Sequence, residues 1–121
     1  MTAATLMTSP TDRGTVVVDG NGRTLYMFTA DLAGSQSSCH DACVTEWPPL
    51  DAPAAHAGKG VASMSISTIE RPHGTEQITY HEHPLYYFAG DDHVGDTEGH
   101  GATSFGGTWL MLRPDGTPVR P

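Results

Sequence analysis

Two seven-residue windows, 60 positions apart, share one frame: Leu25-Tyr26-Met27-Phe28-Thr29-Ala30-Asp31 and Leu85-Tyr86-Tyr87-Phe88-Ala89-Gly90-Asp91. Leu, Tyr, Phe and Asp coincide at identical offsets. Unrelated segments rarely agree at four positions in seven, so the chain reads as a duplicated unit. The repeat constrains the architecture and says nothing of a reaction.

Each copy sits in a strand-and-turn pattern. In the first, Thr15-Val16-Val17-Val18 is β-branched, Asp19-Gly20-Asn21-Gly22 is a turn signal, and Thr24-Leu25-Tyr26-Met27-Phe28 follows, so a hairpin is expected. The two-residue period of a strand sends Leu25 and Met27 to one face and Tyr26 and Phe28 to the other. In the second, Gln77-Ile78-Thr79-Tyr80 leads through His81-Glu82-His83-Pro84 to Leu85-Tyr86-Tyr87-Phe88. Pro84 suits a turn or strand start because it cannot donate to a ladder. A third hairpin is expected from Thr108-Trp109-Leu110-Met111-Leu112, the turn Arg113-Pro114-Asp115-Gly116, and Thr117-Pro118-Val119. The alternation over residues 61–69 adds an edge strand. Residues 37–47 fit one short helix, capped by Ser or Asp and ended before Pro48-Pro49. Residues 51–60 read as a linker, and residues 1–13 as a flexible arm or edge segment.

The fold class expected is therefore mainly β: two repeated β-hairpin units forming a small sandwich or open barrel, with one short helix near the cysteines. Residues 14–121 make a single domain, with units at about 14–50 and 76–116. At 121 residues a single domain is the default. Six bases against fourteen acids leave a net charge of −8, which opposes nucleic acid and anionic membranes. No apolar run is long enough for a transmembrane segment. The first residues lack a basic region and a long apolar stretch, so no signal segment is expected within this chain.

Cys39 and Cys43 are the two cysteines. Four residues apart on a helical turn they lie within disulfide range, and so small a ring would contribute about 2 kcal/mol. Free thiols, or a mixed site completed by His40, are alternatives. His81, His83, His93 and His100 fall within twenty residues. His81 and His83 would share one face of an extended segment, a geometry suited to chelating Cu or Zn, with Asp91, Asp92, Asp96 or Glu98 as further oxygen ligands. Against this stands the ordinary reading of exposed loop histidines. The acidic run from Asp91 to Glu98 lacks the register of a calcium loop. Nucleophile elbow, phosphate loop and metalloprotease helix are all missing, so catalysis is not expected. Tyr26, Phe28, Asp31, Tyr86, Phe88 and Asp91 have two readings. One is a symmetric binding site; the other is architectural, with rings filling a core and each Asp serving turn N–H groups.

Taken together, Gly22-x-x-Leu25-Tyr26-x-Phe28-x-x-Asp31, Cys39-x-x-x-Cys43-x-x-x-Trp47-Pro48-Pro49-Leu50, Pro84-Leu85-Tyr86-Tyr87-Phe88-Ala89-Gly90-Asp91, Gly95-Asp96-Thr97-x-Gly99-x-Gly101 and Gly107-x-Trp109 carry a resemblance. Over roughly residues 15–116 the chain resembles the bacterial secreted repeat or lipoprotein family with the Tyr-x-(Phe/Trp/Tyr)-x-x-Asp motif. That resemblance implies a disulfide and an extracytoplasmic setting, whether secreted, periplasmic or at the cell surface. It implies no activity. The histidine-rich second unit departs from the pattern, and no lipobox cysteine is present. The expectation is a non-catalytic binding or structural module for an unknown protein or small ligand. The alternative is a Cu or Zn protein built on the histidines and linked to metal handling or electron transfer; a metalloenzyme at that site would need an open coordination position and a pocket as well.

Overall fold

The computed structural model describes residues 3–31 and 37–121. In chain order the strands and helix are β1 (Ala4–Thr11), β2 (Gly14–Asp19), β3 (Tyr26–Phe28), α1 (Ala42–Glu46), β4 (Ala55–Ala57), β5 (Ile66–Glu70), β6 (Glu76–Tyr80), β7 (His83–Pro84), β8 (Thr103–Ser104) and β9 (Gly107–Met111). They form three small sheets, ordered β2-β1-β4, β3-β9-β8 and β5-β6-β7, none closed into a barrel. The fold is mainly β with one short helix beside the cysteine pair, as the sequence led us to expect.

The two-residue period decides the layering. Leu25 and Met27 enter one apolar cluster with Val17, Leu110 and Leu112. Tyr26 and Phe28 enter a second with Val16, Val18, Trp109 and Met111. The layer formed by β2, β3 and β9 is thus covered on both faces, and the two cores lie on either side of it. Leu6, Ile78 and Leu85 complete the first core, while Trp47, Tyr86 and the cysteines complete the second.

Residues 1–13 are not an arm; Met1 and Thr2 lie outside the described residues. β1 is the middle strand of its sheet, antiparallel to β2 from Leu6↔Asp19 to Thr11↔Gly14 and parallel to β4. Leu6 is fully buried. The stretch 51–60 likewise is more than a linker, because β4 lies within it. The small polar residues between its apolar ones hid β1 from a reading based on local pattern. Its pairing with β2 has a counterpart: β5, the edge strand read over residues 61–69, is antiparallel to β6. β1 and β5 are therefore the lead strands of the two repeats.

The first hairpin is real only at its turn. Asp19 accepts from the Arg23 N–H at 2.9 Å, and a single bridge joins Val18 to Thr24. Beyond that point β3 leaves β2 and pairs with β9 of the second repeat, Tyr26↔Met111 to Phe28↔Trp109. The second repeat does the reverse. Leu85 N–H donates to Ile78 at 3.0 Å, and Tyr86 then bridges to Pro49 of the first. Each repeat thus supplies the trailing segment that flanks the other's motif. In the third turn Arg113 N–H donates to Thr117 at 2.8 Å, as the Pro-Asp-Gly signal predicts.

Leu6→Ala should lower stability by about 2–5 kcal/mol in chemical denaturation, the usual range for emptying a core site. An unchanged midpoint would return residues 1–13 to the status of an arm.

Candidate functional site

The two motif tyrosines face each other. Tyr26 N–H donates to the Tyr86 carbonyl at 2.8 Å, and Tyr86 N–H donates to the Tyr26 carbonyl at 3.0 Å. Directly opposed residues of an antiparallel pair project to the same face, so both rings enter the second core and both are fully buried.

Their hydroxyls cross between repeats. Tyr26 Oη donates to Asp91 Oδ2 at 2.7 Å, and Tyr86 Oη donates to Asp31 Oδ2 at 2.8 Å. The other carboxylate oxygens are used in parallel fashion. Asp31 Oδ1 accepts from Ser38 N–H at 2.7 Å, and Asp91 Oδ1 accepts from Glu98 N–H at 2.9 Å, each donor seven residues beyond its aspartate. Each aspartate also closes a turn with its own backbone, donating to Phe28 at 3.1 Å and Phe88 at 3.0 Å. Gly99 N–H donates to Tyr26 Oη at 3.2 Å, and Ser37 Oγ contacts Tyr86 Oη. Burial pushes both aspartates above the ordinary value of 3.8, against the downward pull of these donors. It also pushes Tyr26 and Tyr86 well above 10.0, reinforced by the facing carboxylates.

The aromatic rings repeat the crossing. Phe28 stacks on Trp109 of the other repeat at 4.0 Å, Trp109 stacks on Trp47 at 4.0 Å, and Trp47 meets Phe88 at 4.4 Å. Tyr26 stands edge-on to Trp47 and Tyr86 edge-on to Trp109. Sequence reading singled out the motif rings and missed the two tryptophans as their partners, although the recurrence of Trp late in each repeat was a signal.

Cys39 and Cys43 form a disulfide, with Cα atoms 5.3 Å apart, and both are buried. α1 has no side-chain cap: Asp41, at φ 56, makes no such bond. The loop is instead tied across repeats by a residue the sequence did not mark. Buried Arg71 donates to the Cys39 carbonyl at 2.8 Å and to Gln77 Oε1 at 2.9 Å. Gln77 in turn donates to Leu85 at 2.8 Å. A third crossed bond joins Tyr87 Oη to Asp19 Oδ2 at 2.7 Å; burial first, then Asp19, raises the Tyr87 pKa well above 10.0.

The histidines do not assemble into one site. His81, at φ 47, occupies the turn between β6 and β7, with His83 opening β7 beside it. Burial pushes the His83 pKa down, and neighbouring His81 adds to the shift. His93 is exposed and lies 3.8 Å from Asp96. His100 is held by backbone on both ring nitrogens, Nδ1 accepting from Met111 N–H at 3.1 Å and Nε2 at 2.8 Å from the Arg120 carbonyl. Among the described residues no group of three or more His, Cys, Asp or Glu is placed to hold a metal ion. The expected four-histidine centre is corrected accordingly: closeness in sequence came from one loop following another, not from convergence.

A family model described as a secreted repeat of unknown function matches this chain twice, over residues 7–51 and 67–113. The chain belongs to that family. Each match begins in or beside the lead strand and ends past the trailing segment, so the structural unit and the family unit agree, one strand earlier than sequence reading placed them. Membership in a secreted repeat family sets the protein outside the cytoplasm. Among the described residues of this secreted repeat, no helix is long and apolar enough to cross a membrane. No curated protein and no solved structure gives a match.

Tyr26→Phe and Tyr86→Phe should each cost about 1–3 kcal/mol, because each leaves a sequestered carboxylate without its donor. In a double-mutant cycle Tyr26→Phe should couple to Asp91→Asn and not to Asp31→Asn. Alkaline titration supplies a second check. The unfolded chain releases tyrosine protons near 10.0 while the native chain retains those of Tyr26, Tyr86 and Tyr87. The stability they confer is complete below pH 10 and declines as pH rises toward the raised native values. Tyrosinate absorbance from these three should appear only together with loss of the fold.

Proposed function

We propose that this secreted repeat is a non-catalytic binding or structural module, held at the cell surface, in the periplasm or in the medium, and that its family motif is architectural. The observation that carries this reading is the crossed pair Tyr26–Asp91 and Tyr86–Asp31, in which the motif groups satisfy one another. Both hydroxyls and all four carboxylate oxygens already have protein partners. A carboxylate and a phenol so engaged have no free position to offer a reacting substrate, and general acid–base work requires reach to the proton transferred. The disulfide fits an oxidising compartment, where such bonds persist. The burial of both faces of the central layer supports a rigid scaffold whose outer surfaces are left for partners.

Incubated with glycan, lipid and protein fractions of a bacterial envelope, the purified chain should leave every component's mass unchanged by time-resolved mass spectrometry. A conversion that grows with time and vanishes in a folded Asp91→Asn variant would overturn the reading.

A further inference from the structure

The four-ring column has two unlike ends. Phe28 is 1% exposed, and a Cβ at Gly107 would come within 2.7 Å of its Cε1. The backbone of β9 therefore closes that end. At the other end Phe88 is half-buried and borders an open groove of about 690 Å³, between α1 on one side and Phe105 on the other. This volume lies within the usual range for small-ligand sites, roughly 300–1,000 Å³. Gly90 keeps the Phe88 ring in place, since a Cβ there would meet Cε2 at 2.5 Å. Beneath Phe88 the column is polar-deficient as well. The indole N–H of fully buried Trp47 has no acceptor, whereas that of Trp109 donates to Ser104 at 3.3 Å.

Phe105 is the second observation. It is the first residue of the two-residue turn closing the Ser104↔Gly107 pair, with φ 55 followed by Gly106 at φ 90. Turns with both central residues at positive φ favour Asn, Asp or Gly, and a bulky residue there is strained. The ring is also 45% exposed, and among the described residues no aromatic ring stacks on it. Strain and exposure in one side chain, at the mouth of an apolar groove, are the pattern of a residue kept for contact with a ligand.

Charge selects the ligand class. Glu46 stands in the groove wall, the chain carries −8, and the faces of Phe88 and Phe105 are negative. We infer that the groove between α1 and the Phe105 turn binds a planar aromatic cation, stacked on Phe88 as a further ring of the column, covered by Phe105, and neutralised by Glu46. This rests on the reading of the chain as a non-catalytic binding module and names the ligand class of that module.

The test uses the full chain titrated with the acridinium cation of acridine orange, followed by fluorescence polarisation, with the anion anilinonaphthalene sulfonate as control. Wild type should bind the cation saturably at one site and prefer it to the anion. Phe105→Asn should weaken binding about tenfold, the loss expected for one well-placed ring, while raising Tm because Asn accepts positive φ. Glu46→Gln should weaken binding of the cation and reduce its preference over the anion. Absence of saturable binding up to about 1 mM (a standard free energy near −4.1 kcal/mol), equal binding by a folded Phe105→Asn variant, or equal binding of the anion overturns the inference. The bound dye is then recovered and weighed. An unchanged mass agrees with both proposals, whereas conversion lost in Phe105→Asn keeps the site and refutes the non-catalytic reading instead.

Discussion

The backbone bridge between Tyr26 and Tyr86 is the contact from which the remaining order follows. Its two hydrogen bonds, 2.8 and 3.0 Å, set the two motifs antiparallel with both rings on one face. Once that pairing is made, each hydroxyl reaches the opposite aspartate, and each tryptophan comes to lie against rings from the opposite repeat. A polar group in this interior must find a partner or carry a large desolvation penalty. The crossed bonds meet that need for both tyrosines and both aspartates at once, and they do so only in this register.

Interlocking follows from the same geometry. β3 is flanked by β9, and Tyr86 by Pro49, so neither repeat holds the segment that completes its own sheet. Arg71 of the second repeat fastens the Cys39 carbonyl of the first, and Tyr87 binds Asp19. The core is built from contacts far apart in sequence, which favours a cooperative fold and slow formation. A single repeat would expose β3 on one side and leave its tyrosine without an acceptor.

The molecule is uneven about this pseudo-two-fold. The disulfide loop with α1 occupies the place after the first motif, and the β8–β9 hairpin the place after the second. One end of the aromatic column is closed by the hairpin backbone; the other opens beside the helix. The symmetric parts are those that make the fold. The asymmetric ones, including strained Phe105, are where a surface can acquire a specific partner.

Much of the local structure was legible in the chain itself. The period of two assigned Leu25 and Met27 to one core and Tyr26 and Phe28 to the other, because a strand's pleat allows nothing else. The Asp-Gly-Asn-Gly and Pro-Asp-Gly turns, the short helix and the Cys39–Cys43 spacing were readable because they depend on neighbours a few residues away. β1 and β4 were not, since Thr, Ser and Ala there carry little apolar signal and become strands through pairing with β2 and with one another. The histidines misled for the same reason: sequence shows proximity along the chain, and the fold turned His100 toward backbone and left His93 in solvent. What the sequence determined by itself was the repeat, its faces and its turns. Which repeat's aspartate each tyrosine meets, and which trailing strand each motif joins, was decided by the tertiary structure, because both choices compete across some sixty residues and only the packed core distinguishes them.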